Sequence, residues 1–294
     1  MTRFGPHASR RDIAGWISIL GRVVLRLFGF RSRTLPGGMH IMERPARKHR
    51  ATEAGDGSGR DLLFIHGIGV DVTSWLSIVP YLGRRHTLRL LDLPSHGESE
   101  DVEPVDVESM SAMIVGAVDT LPASIIVGNS LGGAIALLLA VRLPAKVQGL
   151  FLLSPAGAPM EPHVFDAVIG QFEIKTYSEA REFLTRLFAT FPYNSPVIAP
   201  FVLAVWARPS LHRLRLAFRH DGLISPDQAR AINIPVFLSW GQRDGVLPSV
   251  VRDWLVEHIP GLQRADPDDE AQEAHSPQIE RPRSVARRIL KFVG

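Results

Sequence analysis

The sequence predicts an α/β fold: a mainly parallel sheet flanked by helices, with a helical cap inserted after the sixth strand. Three observations lead there. From residue 61 onward, short apolar runs bounded by Gly, Pro or polar residues alternate with helical patterns. The runs are apolar throughout rather than alternating, which marks strands covered on both faces by crossover helices. The stretch Gly128-Asn129-Ser130-Leu131-Gly132 stands between one such run and one such helix, and a strand–turn–helix setting gives a Gly-x-Ser-x-Gly pattern chemical meaning.

The chain begins with a basic arm. Residues 1–50 hold eleven Lys and Arg against two Asp and Glu, a balance of +9; since the whole chain carries +3, residues 51–294 carry −6. Within residues 13–30, Gly15, Ser18, Arg22, Arg26 and Gly29 follow Arg11 at three-to-four spacing, so they share one helix face. Trp16, Ile17, Leu20, Val23, Val24, Leu27 and Phe28 cover the rest. A spanning helix needs about 20 apolar residues, and each central Arg costs about 2.5–3.5 kcal/mol. Two such arginines favour a helix lying on a membrane over one crossing it. The apolar run is interrupted and no small-residue cleavage site follows Phe30, so a cleaved signal peptide fits poorly. The expected partner is an anionic membrane surface met by residues 11–33, with packing on the protein body as the alternative. Nucleic acid is not expected, because the apolar content of the arm suits lipid better.

Three units are expected: the arm (1–34), a core (35–155 and 233–294) and a cap (156–232). Residues 38–43 could be early edge strands, and residues 45–60 read as a polar, Gly-rich surface loop. Strands are expected at 61–65, 87–92, 124–128, 147–153 and 234–240. Helices are expected at 73–82, 107–121, 131–143, 249–258 and near 283–292. Residues 156–232 break this rhythm with helical, aromatic-rich sequence: Phe165, Phe172, Phe183, Phe188, Phe191, Phe201 and Phe218 are half of the chain's 14 Phe. An insertion there would sit over the carboxyl edge of the sheet, where open α/β folds bind ligands. Its aromatics would form its own core and also line a pocket.

Ser130 is the candidate nucleophile. A side chain at Gly128 or Gly132 would crowd the approach of strand to helix, and the helix N-terminus behind Ser130 aims N–H groups at an anion forming there. A serine needs a base, usually a His oriented by a carboxylate. His275 precedes the last helix, and Asp244 directly follows a strand. The order Ser, Asp, His fits such a site. Ser154, after the preceding strand, supplies no alternative acid. Asp71, Asp92, His66 and His96 lie near the same edge but are expected to be structural. The oxyanion donors are expected to be the N–H groups of Leu131 and Ile68, with Gly67 admitting the backbone to the substrate and His66 shaping the loop. Cys is absent and no paired His spacing suits a metal, so no metal site and no cofactor is expected. Nothing demands an oxidising compartment, and the expected location is cytoplasmic, peripheral at the inner face of a membrane.

Together, His66-Gly67, Asp92 to Ser99, Gly128 to Gly133, Gly241 to Asp244 and His275-Ser276-Pro277 resemble the α/β-hydrolase superfamily from about residue 35 to 294. Residues 71–82, 154–157 and 275–289 further resemble its membrane-associated, monoacylglycerol-lipase-like branch, which also carries an apolar amino-terminal anchor. Ser95 and Ala274 depart from glycines usual in the superfamily, and the stretch 266–270 is unusually acidic. The resemblance implies a serine hydrolase of lipophilic carboxylic esters, with Ser130, Asp244 and His275 as its triad and no cofactor. The alternatives are a C–C bond hydrolase of ring-cleavage products, where Trp usually follows the catalytic His and Ser276 stands here, and a non-enzymatic binding protein on the same fold. Neither the natural substrate nor the oligomeric state follows from the sequence.

Overall fold

In the computed structural model the described residues are 13–47, 59–103, 106–190 and 195–294. Among the described residues eight strands form one sheet: β1 (Arg31–Leu35), β2 (Met39–Arg44), β3 (Asp61–Ile65), β4 (Thr87–Leu91), β5 (Ser124–Asn129), β6 (Val147–Leu153), β7 (Val236–Ser239) and β8 (Gln263–Arg264). Their order is β1-β2-β4-β3-β5-β6-β7-β8. β1 and β2 are antiparallel to their neighbours, and the other six strands are mutually parallel.

The uniform apolar runs have the expected cause. Leu63 and Ile65 of β3 face one core, Leu62 and Phe64 the other; Leu150 and Leu152 of β6 alternate in the same way with Phe151 and Leu153. The first core is covered by α2 (Val107–Asp119) and α3 (Leu131–Arg142), through Met110, Ile114, Ile135 and Leu139. The second is covered by Leu25 of α1 (Ile13–Leu27), by the turn carrying Trp75, and by Val285 and Ile289 of the final helix (Pro282–Val293).

Between β6 and β7 lie α4 (Pro162–Gly170), α5 (Tyr177–Leu187), α6 (Ser195–Trp206), α7 (Pro209–Ala217) and α8 (Pro226–Arg230). After β7 come α9 (Ser249–His258), α10 (Pro267–Glu270), α11 (Pro277–Glu280) and α12, the final helix.

Several expectations change. The helix expected at 73–82 is two 3₁₀ turns, Val72–Trp75 and Val79–Leu82; Pro80 has no N–H to continue an α-helix. The boundary at residue 35 falls inside a sheet strand, because Arg31–Leu35 pairs with Met39–Glu43. Arg11, Phe191 and most of the 45–60 loop lie outside the described residues.

α1 divides its two faces between the body and the outside. It packs on the body through its polar face. Arg22 is 2% exposed and ion-pairs with Asp92 at 2.8 Å and Asp71 at 3.3 Å, while the Ser18 hydroxyl donates to Asp71. Gly21 permits the approach, since a Cβ there would come within 2.7 Å of Thr73. Arg22 is therefore buried in the body, where no headgroup reaches it. The apolar face turns outward instead: Trp16 is 56%, Leu20 65% and Leu27 80% exposed. No helix among the described residues is long and apolar enough to cross a membrane.

Candidate active site

Ser130 links β5 to α3 with φ 54° and ψ −118°, a conformation that L-residues rarely adopt and that surrounding structure must impose. The backbone does so from both sides. Ser130 N–H donates to the Leu153 carbonyl at 3.1 Å, and its own carbonyl accepts from Gly133, Ala134 and Ala156. The flanking glycines are sterically required. A Cβ on Gly128 would lie 2.4 Å from the Gly132 carbonyl oxygen, and one on Gly132 would lie 2.0 Å from that of Ile65.

Asp244 and His275 come together because their loops pair. Arg243 N–H donates to the Glu273 carbonyl at 3.0 Å, and Gln242 N–H to that of Glu270 at 3.3 Å. Gly241 sits where a Cβ would strike the Ala274 carbonyl. The result is a 2.8 Å hydrogen bond from His275 Nδ1 to Asp244 Oδ2, with both side chains buried. The other carboxylate oxygen, Oδ1, accepts from the N–H groups of Val246 and Leu247 at 2.9 and 3.0 Å. The carboxylate is thus fixed on its loop with one oxygen left for the imidazole.

The acidic approach to His275 is a short helix, exposed at residues 266–269 and anchored inward at Glu270 and Glu273. Asp266 caps α10, Glu270 turns inward to accept from Trp240 N–H at 2.6 Å, and Glu273 pairs with Arg288 at 2.7 Å. Burial raises the pKa of both glutamates.

Three residues that sequence reasoning did not single out tie the parts together. The Asn129 side-chain amide donates to the carbonyls of Leu153 and His275, each at 3.0 Å, and its oxygen accepts from Gln278 Nε2 at 3.0 Å. Asn129 stood inside the quoted motif. Gln278 had no sequence signal, because its partner lies 149 residues away. Glu280 does similar work, accepting from Ala274 N–H at 2.9 Å and from Ala189 N–H at 2.6 Å.

Ile68 and Leu131 line the space beside Ser130, and Gly67 packs against Ser130, 3.2 Å from a Cβ placed on it. His66 is fully buried. Its Nδ1 contacts the Gly67 carbonyl at 2.7 Å and its Nε2 accepts from Leu93 N–H at 3.0 Å. His96 repeats the pattern, with Nδ1 on the Pro94 carbonyl and Nε2 accepting from Gly69 N–H at 3.1 Å. Burial lowers both pKa values, that of His96 to about 3. These neutral rings brace the loop 66–69. Asp92 is likewise occupied. Burial opposes its charge, but His40 and Arg22 more than offset this and hold its carboxyl below the usual range.

Above Ser130 and His275 lies a cavity of about 90 Å³ walled by Phe172, Phe183, Phe188, Phe201 and Trp206. A second, of about 280 Å³, also meets Ser130, beside Ile68 and Leu131, and is walled by Phe165, Val168, Phe172 and Phe218. The insertion's aromatics thus serve as its own core and as pocket lining.

Residues 62–288 match the alpha/beta hydrolase family. The chain belongs to that family. Among curated members of this alpha/beta hydrolase family, it is 30% identical over 218 residues to pimeloyl-(acyl-carrier protein) methyl ester esterase of Nitrosomonas europaea, covering 69% of this chain and 85% of the relative. It is 26% identical over 262 residues to the enzyme of the same name from Neisseria meningitidis serogroup C, covering 84% and 98%. Among solved structures, a bacterial membrane phospholipase A superposes with TM-score 0.74 at 23% identity, covering 96% of this chain and 91% of that one. Carboxylesterase CesB from Bacillus subtilis gives 0.71 at 16% identity, covering 95% and 98%. At those identities the structural likenesses speak for the alpha/beta hydrolase fold alone.

Proposed function

We propose that the protein is a serine hydrolase of lipophilic carboxylic esters, acting through an acyl-enzyme on Ser130. The observation that carries this is the Asp244–His275 hydrogen bond beside a strained Ser130, all within apolar walls. His275, oriented through Nδ1, takes the Ser130 proton at Nε2 as Oγ attacks the ester carbonyl. The N–H groups of Ile68 and Leu131 stabilise the oxyanion. The leaving alcohol takes the proton from His275, and water activated by the same imidazole then releases the acid.

The relatives' names support ester chemistry: theirs is the methyl ester of a carrier-bound acyl chain. Monoacylglycerols or other acyl esters are the substrates proposed, and the finer likeness to the monoacylglycerol-lipase-like branch rests on the residue motifs alone. A panel of p-nitrophenyl esters tests this reading. Turnover rising from acetate to medium chains supports it. Turnover of dienone acids without ester hydrolysis would assign the site to C–C bond cleavage.

The outward face of α1 supports a second element of the proposal, an anionic lipid surface as partner. Burying a large apolar side chain gains about 1.5–3 kcal/mol, and each arginine near an anionic surface adds about 1 kcal/mol; Arg26, Arg31 and Arg33 flank the face and are exposed. Leu20→Asp should release the protein from anionic vesicles. A self-association broken by the same substitution, with no vesicle binding, would assign the face to a second copy.

A further inference from the structure

A third cavity, of about 460 Å³, runs between α1 and the insertion. It is continuous in its walls with the space over Ser130, sharing Gly69, Val70, Phe188, Phe201, Val202 and Val205. Gly69 marks the junction: at φ 76° it carries no side chain, and a Cβ there would press within 3.1 Å of Trp206. The groove has two unlike sides. Ser18, Arg22, Asp71 and Glu98 make one side polar, while Leu187, Phe188, Ile198 and Phe201 make the other apolar. Its α1 wall lies outside residues 62–288, so it is not part of the matched family region.

We propose that this groove is the subsite for the alcohol half of the substrate, and that among the acyl esters proposed above the preferred ones carry a large amphiphilic alcohol, a hydroxylated lipid alcohol, rather than the glycerol of a monoacylglycerol. The inference rests on the reading of the site as a serine esterase. Direction follows from the proton path. The leaving oxygen must reach His275, which lines the cavity joined to the groove. The carbonyl oxygen must face Ile68 and Leu131; Ile68 lines both cavities, whereas Leu131 lines only that of about 280 Å³, which His275 does not line. With the leaving oxygen on the His275 side, the acyl chain takes the cavity of about 280 Å³ beside Leu131, and the alcohol passes over Gly69 toward α1. Hydroxyls meet the Ser18 and Glu98 side, and methylenes meet the Ile198 and Phe201 side.

Two ester series test this. One fixes a butyryl group and lengthens the alcohol from ethyl to dodecyl, with 1-O-dodecylglycerol butyrate as the hydroxylated probe. The other fixes ethanol and lengthens the acid to dodecanoate. Ile198→Trp fills the groove from α6, and Ile17→Trp, at a position 41% exposed on α1, fills its mouth without entering the core. Each should lower the dodecyl-to-ethyl ratio of kcat/KM in the alcohol series by about tenfold, the scale of a lost apolar subsite. The acyl-series ratio should stay as it was. Ile169→Trp, in the cavity of about 280 Å³, should do the reverse. The dodecylglycerol ester should be the best wild-type substrate of its series. Groove substitutions that change the acyl series, or both series equally, or neither, overturn the assignment. Turnover of ethyl butyrate that persists in Ser130→Ala would instead overturn the esterase reading on which it rests.

Discussion

The Asn129 side-chain amide donates to the His275 carbonyl at 3.0 Å, so the residue before the candidate nucleophile holds the loop of the candidate base. The same amide group reaches Leu153 on β6, and Gln278 closes the arrangement from α11. Removing this side chain should loosen the distance between Ser130 and His275 without touching either.

Asn129→Ala should therefore lower kcat by about a hundredfold, the cost of a misplacement of roughly 1 Å, while KM changes little. It should also cost about 1–3 kcal/mol in urea unfolding, because the buried carbonyls and Gln278 lose their partner. A stability loss with unchanged kcat would make Asn129 a purely structural residue.

Asp244→Asn separates charge from shape. The Asn oxygen can still accept from Val246 and Leu247, as Asp244 Oδ1 does. Its NH₂ would then face His275 Nδ1 and force the wrong tautomer. The expected result is a normal melting curve with kcat down about 10⁴-fold. A folded variant with near-normal turnover would show that another carboxylate serves.

Arg22→Met should destabilise the protein by about 3–5 kcal/mol, because Asp92 would be left buried beside His40 without its strong cation. Equilibrium unfolding in urea measures this. A loss of less than about 1 kcal/mol would mean that the pair behaves like an exposed one. For the same reason removal of residues 1–33 should unfold the body rather than yield a soluble, active core, since it takes away α1 and part of β1.

Much of this arrangement was legible in the sequence, and the exceptions share a cause. The uniform apolar runs marked β3 to β7, and loops leaving one sheet edge bring Ser130 and His275 to a common cavity, with Asp244 hydrogen-bonded to His275 behind them. What periodicity cannot give is which face of an amphipathic helix is buried. In α1 the partners that decide it, Asp71 and Asp92, lie 49 and 70 residues away. Pro80 did signal the break in 73–82, but the apolar pattern around it favoured one helix. Gln278 was silent because a buried hydrogen bond between distant loops leaves no local pattern.

Stability should fall with acid through His96. Its folded pKa of about 3 lies below the unfolded value of about 6.5. Above about pH 6.5 neither state binds this proton. Between the two values only the unfolded chain does, so stability is lost as pH falls, at about 1.4 kcal/mol per pH unit for one site. His66, lowered by burial in the same way, adds to the slope. His96→Asn should reduce the slope of unfolding free energy between about pH 6 and 4 by close to one proton. An unchanged slope would show that His96 is not held neutral.

The central claim is that Ser130 is the nucleophile of an acyl-enzyme. Its most direct test is intact-protein mass spectrometry after a fluorophosphonate, run beside medium-chain ester turnover, for wild type and Ser130→Ala. The account predicts a single adduct on wild type at Ser130, no adduct on the variant, and a kcat lower by about 10⁶-fold. An adduct on another serine, or a folded Ser130→Ala that still turns over ester, would contradict it.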